Sequence, residues 1–238
     1  MSAAEQVFGI PELLELILLR LLDNLDYLDA QGDARPQNTW QRAQQLTTTL
    51  VASRVNRNFN DVFRTSINLR RRLFLTPDLV SNRSWDSKVE SELPDILQVF
   101  YVCVIEGSLP LMNPMIQVEL SNFPFRFWNL PYKTRGNQHC AFMIVSKDNL
   151  IQFRRRHLQE GSRTVVSRML LSQPPCKSLQ CDIFEDRDET REYVGRTTDL
   201  QDSLIFSEAG LTIGFVCDWL SVMFNAHADV ARVKLTTI

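Results

Sequence analysis

A chain of 238 residues with 44% hydrophobic and 23% charged residues has the balance of an ordinary globular protein, long enough to bury a core without disulfide or metal staples. The formal net charge of -2 excludes a chain-wide attraction to nucleic acid or to an anionic membrane surface. No run reaches the roughly eighteen apolar residues of a membrane helix, and the opening MSAAEQVFGIPELLELILLRLL lacks the basic start of a signal peptide. The expected location is the cytoplasm or nucleus.

The first periodic segment runs from Ile10 to Leu22. Leu13, Leu14, Ile17, Leu18 and Leu21 recur at helical spacing, with Glu12, Glu15 and Arg20 off the stripe. Pro11 suits the first helical turn, where its missing N–H costs nothing, and the two glutamates suit the positive end of the helix dipole. Asp23 to Gln44 is polar and holds Asp29, Gly32, Asp33 and Pro36, so most of it reads as a loop or flexible insertion projecting from the surface, with room for a short helical turn around Tyr27. Leu46 to Phe63 is helical again, with Leu50, Val51, Ala52, Val55, Phe59 and Val62 as its apolar face, broken once around Asn56–Asn60. Leu69, Leu73 and Phe74 form a third, short helical segment that Pro77 ends.

Beyond Asp78 the pattern is mixed α/β, so residues 1–77 read as a helical module and 78–238 as a second domain. The run DILQVFYVCVIE within 94–106 is a buried strand or a buried helix; periodicity does not decide. Ala141 to Ser146 reads as a buried strand, Val165 to Leu171 as a helix stopped by Pro174 and Pro175, and Leu179 to Glu185 as a strand. Thr190 to Asp202 reads as a loop, Gly214 to Phe224 as an amphipathic helix, and Arg232 to Thr237 as a weakly alternating final strand.

Chemistry-bearing patterns are sparse. Cys103, Cys140, Cys176, Cys181 and Cys217 are odd in number and have no CxxC spacing, which fits free thiols in a reducing compartment. His139, His157 and His227 have no partner at metal-ligand spacing, so no metal or other cofactor is expected. His139 and Cys140 are adjacent; on a strand they would face opposite ways and would not pair as a nucleophilic dyad. An enzyme reading of 78–238 requires one of them in a polar cleft beside a base. The acidic run Glu185, Asp186, Asp188, Glu189 and Glu192, interleaved with Arg187 and Arg191, reads as a solvated loop. Arg54, Arg57, Arg64, Arg70, Arg71 and Arg72 oppose only Asp61 between Ser53 and Leu73, but this patch lacks stacking aromatics, so nucleic acid is not the expected partner. Arg154, Arg155, Arg156 and His157 read as a helix-end charge run.

The helical module carries a resemblance. Ile10-Pro11-Glu12-Leu13-Leu14, followed by Ile17, Leu18 and Leu21, resembles the opening of an F-box. Leu50-Val51-Ala52-Ser53-Arg54-Val55-Asn56-Arg57-Asn58-Phe59, with Asp61 and Val62, is similar to its middle helix. Ser66, Leu69, Arg72, Leu73, Phe74, Leu75 and Pro77 are similar to the closing segment in F-box proteins of filamentous fungi. Downstream, Arg168-Met169-Leu170-Leu171-Ser172-Gln173-Pro174-Pro175 resembles the "RRMLLTQPP" stretch of those proteins, and Gly210-Leu211-Thr212-Ile213-Gly214 their "GVTLG" stretch. The 23–44 insertion, Phe59 in place of a frequent Trp, and Val165-Val166-Ser167 depart from the pattern.

The resemblance implies an α+β protein: a three-helix F-box followed by a mixed α/β domain. It implies a substrate-receptor adaptor of a Skp–cullin–F-box ubiquitin ligase, without chemistry of its own. The partners would be a Skp-type adaptor, the cullin–RING ligase behind it, and a target protein held by 78–238. Ile10, Pro11, Leu13, Leu14, Ile17, Leu18, Leu21, Val55 and Phe59 are the expected adaptor-binding set, with Pro11 and Leu14 as leading contacts. The physical argument agrees: so small a helical unit cannot bury all these apolar residues within itself. The alternative is an F-box-like scaffold or regulator acting outside a ligase, for which the insertion is the main support.

Overall fold

The computed structural model describes residues 6, 8–29, 36–78, 111–120, 126–129, 139–158, 164–183 and 204–237. Helices form the first part of the chain, and antiparallel strands with two longer helices the second, an α+β architecture. Helix α1 spans Pro11–Asp29, with Pro11 in its first turn and the Leu14 amide bonded to the Ile10 carbonyl at 3.1 Å. Helix α2 spans Pro36–Ala52. Asp23 to Gln44, expected to be an insertion, is therefore helical for most of its length. Leu22, Leu25 and Leu28 keep helical spacing past Asp23, Pro36 sits in a first turn that tolerates it, and Gln41 to Gln45 are good helix formers.

Helix α2 ends in a tight turn, where the amides of Ser53, Arg54 and Val55 bond three residues back. Two short helices follow, α3 over Arg57–Thr65 and α4 over Ile67–Arg72, so four helices occupy the described residues of 11–72 where three were expected. Each is capped by the residue before it. The Asn56 side chain accepts from the Phe59 amide at 3.0 Å, and the Ser66 hydroxyl accepts from the Leu69 amide at 3.0 Å. Ser66 also donates to Glu15 of α1 at 2.6 Å, fastening the α3–α4 junction to the first helix.

Five strands form an antiparallel sheet in the order β2 (Arg126–Asn129), β3 (His139–Ser146), β7 (Arg232–Thr237), β5 (Ser178–Ile183) and β6 (Leu204–Phe206). The strands expected at 141–146 and 232–237 are present, and so is the one expected at 179–185 as far as Ile183, beyond which it lies outside the described residues. The last of these is a central strand, pairing Leu235 with Met143 on one side and with Cys181 on the other. Its alternation buries Val233, Leu235 and Thr237. Helix α5 (Lys147–His157) follows β3 directly, capped by Ser146, and packs against α6 (Ile213–Ala226), the helix expected at 214–224. Gly214 lets α6 approach the single 3-10 turn Val166–Arg168: a Cβ there would lie 2.7 Å from the Ser167 carbonyl oxygen.

Val165 to Leu171, expected to be helical, makes that one turn and then extends. The cause is competition from neighbours. The Leu170 amide donates to the Phe74 carbonyl at 2.6 Å, the Leu171 amide to the Leu211 carbonyl at 3.0 Å, and the Met169 carbonyl accepts from the Ile213 amide at 2.8 Å. Strands β1 (Leu111–Met112) and β4 (Ser172–Gln173) pair beside this stretch, and buried Asn113 donates its side-chain amide to the Leu170 carbonyl at 3.1 Å. The runs at 94–106 and 190–202 lie outside the described residues.

Phe74 joins the two parts of the chain. Helix α4 closes with the Phe74 amide on the Arg71 carbonyl at 3.0 Å and the Leu75 amide on the Arg70 carbonyl at 2.8 Å, the paired bonds of a Schellman ending. The left-handed residue of such an ending is usually glycine; here it is Phe74, at φ 59. The unfavourable backbone, about 1–2 kcal/mol, is offset because the ring is buried and the carbonyl is aimed at Leu170. Gln173 completes the seam. Its side-chain amide donates to the Thr76 carbonyl at 2.9 Å and the Arg71 carbonyl at 3.3 Å, and its oxygen accepts from the Asp78 amide at 2.8 Å. The buried apolar residues accordingly form one cluster that runs from Leu14 to Leu235.

Replacement Gln173→Ala leaves these backbone groups without partners and is expected to lower stability by about 1–3 kcal/mol, read as an earlier urea midpoint for the whole chain.

Candidate functional site

Helix α1 is apolar around most of its circumference. Between Pro11 and Leu22 its charged residues are Glu12, Glu15 and Arg20. At about 100° per residue, Leu14, Leu18 and Leu22 fall on one arc, and Ile10, Leu13, Ile17 and Leu21 on the adjoining one. The first arc is the core face: Leu14 and Leu22 are 0% exposed and Leu18 1%. They join the cluster that holds Leu46, Val62, Phe63, Leu69 and Leu73, and α1 touches α2, α3 and α4. The second arc is left to solvent. Ile10, Leu13, Ile17 and Leu21 are between 38% and 52% exposed, and Pro11 is exposed with them.

The expected adaptor-binding set is thus divided by the fold. Ile10, Pro11, Leu13, Ile17 and Leu21 share one open face, and Val55 is exposed in the turn after α2. Leu14 and Leu18, expected as partner contacts, are instead core residues, because consecutive positions point about 100° apart and only one of each pair can face outward. Phe59 is also buried, its ring 5.4 Å from that of Phe8, whose carbonyl accepts from the Asn58 side chain at 3.3 Å. Leu16, Trp40 and Val51 are exposed apolar residues missing from the expected set. Trp40 fell inside the supposed insertion. Ala43, Leu46 and Leu50, at helical spacing after it, are the signal that would have placed it on a helix.

Among the described residues, the cysteine thiols are buried and most of the charged end of α5 is paired. Cys176, Cys181 and Cys217 are free and buried, and burial pushes each thiol up to about 12. A neutral thiol is a poor nucleophile and a poor metal ligand. The cluster at the end of α5 is paired. Arg154 meets Asp218 at 2.7 Å, and both Arg156 and His157 meet Glu119, at 3.5 and 2.8 Å. Burial raises the Glu119 pKa, but the bonds and charges of His157 and Arg156 outweigh it and hold the carboxyl below its ordinary range. Glu119 lies on a π-helical stretch, Ile116–Leu120, so these pairs fasten that stretch to α5. His139 and Cys140 lie on β3. Among the described residues, no group of three or more His, Cys, Asp and Glu side chains is placed to hold a metal ion, and no helix is long and apolar enough to cross a membrane.

Comparison of the chain with protein-family models, with curated proteins and with solved structures found no match in any of the three.

The division of α1 is testable by stability. Leu14→Ala is expected to cost about 2–5 kcal/mol, whereas Leu13→Ala should stay within about 0.5 kcal/mol of the parent; equal losses in thermal denaturation would contradict the two-faced helix. The thiols supply a second check. Iodoacetamide at pH 8 should leave Cys176, Cys181 and Cys217 unmodified in the native protein and alkylate all three in urea, as read by peptide mass spectrometry.

Proposed function

We propose that this chain is the substrate-receptor subunit of a Skp–cullin–F-box ubiquitin ligase, docking a Skp-type adaptor through the outer arc of α1. The observation that carries the reading is the pair of apolar arcs on one helix. Leu14, Leu18 and Leu22 fill the chain's own core, yet Ile10, Leu13, Ile17 and Leu21 stand in a row on the other side. A helix apolar all round is ordinarily buried all round, so the open arc needs a protein surface to cover it. Pro11, exposed at the head of the row, sets the angle at which the chain enters it.

A second observation supports the same reading. Three stretches that resemble fungal F-box proteins, around 66–77, 168–175 and 210–214, are far apart in sequence but meet in space. Leu170 bonds Phe74, Gln173 reaches Arg71, Thr76 and Asp78, and Leu170 pairs with Thr212 in an isolated bridge. The scaffold alternative drew on a long insertion at 23–44, most of which is occupied by α1 and α2. In the proposed role the chain performs no chemistry. It works in the cytoplasm or nucleus and presents a target protein through the remainder of the chain.

Co-expression with a Skp-type adaptor and affinity recovery tests the proposal. The exposed pair Leu13→Glu and Ile17→Glu is expected to lower adaptor recovery about tenfold or more, with an unchanged melting temperature. Recovery at the parent level with both glutamates present would remove the assigned surface. Adaptor recovered without cullin would favour the scaffold alternative.

A further inference from the structure

The helical unit carries a second surface of opposite chemistry. From Ser53 to Leu73 the chain has six arginines, Asp61 as the lone acid and no lysine, a local excess of five positive charges in a chain whose total is -2. In the other basic cluster three of the four side chains, Arg154, Arg156 and His157, lie within 3.5 Å of an acid, Asp218 or Glu119. Three arginines of the first cluster have none. Among the described residues, Arg54, Arg64 and Arg70 form no ion pair. Arg57 meets Asp61 at 3.9 Å, with the arginine side chain 93% exposed, a contact of little energy. Two arginine clusters in one chain are thus treated differently by the fold, and the difference needs a reason.

The backbone that carries the open cluster is fixed by packing and a cap. On α3, Phe59, Val62 and Phe63 face the core, which turns Arg57, Asp61 and Arg64 outward on one stripe at i, i+4 and i+7. Arg54 precedes them in the turn that Asn56 caps. Arg57 and Arg64 are two helical turns apart, about 10.5 Å along the axis, the reach of roughly three residues of extended peptide. Guanidinium groups bind carboxylate or phosphate oxygens through two parallel bonds, a geometry that lysine does not supply. Nucleic acid fits less well. The aromatics of this stretch, Phe59, Phe63 and Phe74, are all buried and present no face for a base to stack on.

We propose that Arg54, Arg57 and Arg64 form a receptor for an acidic segment of a partner protein, through its carboxylate or phosphate oxygens. The site lies on α3 and the turn before it rather than on α1 and does not depend on the ligase reading. The test is fluorescence anisotropy on the full chain at low ionic strength, where surface charge is least screened. The labelled probes are a short Asp/Glu-rich peptide, a phosphoserine peptide of the same length, and a single-stranded oligonucleotide. At least one of the two peptides binds, and the tighter one identifies the oxygen source. The double replacement Arg57→Ala and Arg64→Ala weakens that peptide about tenfold, the loss of two charge-assisted contacts. Arg155→Ala, an exposed arginine of the paired cluster, changes it less than about twofold. Unchanged circular dichroism and melting temperature separate this loss from unfolding. Absence of binding by both peptides, an equal effect of Arg155→Ala, or tighter binding of the oligonucleotide each overturns the proposal.

Discussion

The extended stretch Met169–Gln173 has to hydrogen-bond on both sides at once, and the arrangement of everything else follows from that. On one side Leu170 takes the carbonyl that Phe74 presents from its left-handed ending. On the other, Met169 and Leu171 exchange bonds with Ile213 and Leu211 at the head of α6. Side chains finish what the backbone cannot: Asn113 covers the Leu170 carbonyl, and Gln173 covers three backbone groups at and beyond the end of α4. Buried backbone groups are nearly always paired, and a short connection between a helical unit and a sheet has few ways to pair them. The stretch therefore pins the helices and the sheet into one body, so the outer arc of α1 and the arginine stripe of α3 ride on a frame with a fixed relation to the sheet.

Parts of this were legible in the sequence because local signals agreed with the tertiary environment. Pro11, the leucine spacing and the first-turn glutamates all state a helix from residue 11, and AFMIVS, LQCDIF and RVKLTT state strands. The failures came where a local signal was outvoted. Asp, Gly and Pro between 23 and 44 spoke for a loop, but Pro36 is harmless in a first turn and the leucines at 22, 25 and 28 keep the helical period. Val165 to Leu171 has the composition of a helix, yet its amides and carbonyls are claimed by Phe74, Leu211 and Ile213, partners at sequence distances no window spans. Phe74 at a position that favours glycine carries no local signal at all.

The docking face illustrates a different limit. Composition shows that α1 holds more apolar residues than a small unit can bury, and this is correct. It does not show which arc goes inside. Leu13 and Leu14 are chemically identical, and the choice between them is made by where Leu46, Val62, Phe63 and Leu69 sit. Periodicity narrows the choice to two adjoining arcs, and packing makes it. A contact set inferred from spacing alone therefore mixes core and surface, as Leu14, Leu18 and Phe59 did with Ile10, Leu13 and Ile17.

The two exposed surfaces differ in what they can contribute to association. Full burial of an aliphatic side chain is worth about 1.5–3 kcal/mol. The four side chains of the outer arc are already about half buried, so covering them yields on the order of 3–6 kcal/mol. Bringing two proteins together costs about 4–15 kcal/mol before any contact is counted. The arc alone is thus of the same order as the cost and holds a partner only where that partner adds contacts around it, for which exposed Val51, Val55 and Trp40 on and after α2 are the available apolar neighbours. The arginine stripe works on another part of the problem. Beyond its direct contacts with oxygens, exposed charge raises the rate of encounter with an acidic surface and discriminates against a basic one. A chain with one apolar row that needs a large complementary surface, and one cationic row that selects by charge, divides affinity and specificity between two faces of the same helical unit.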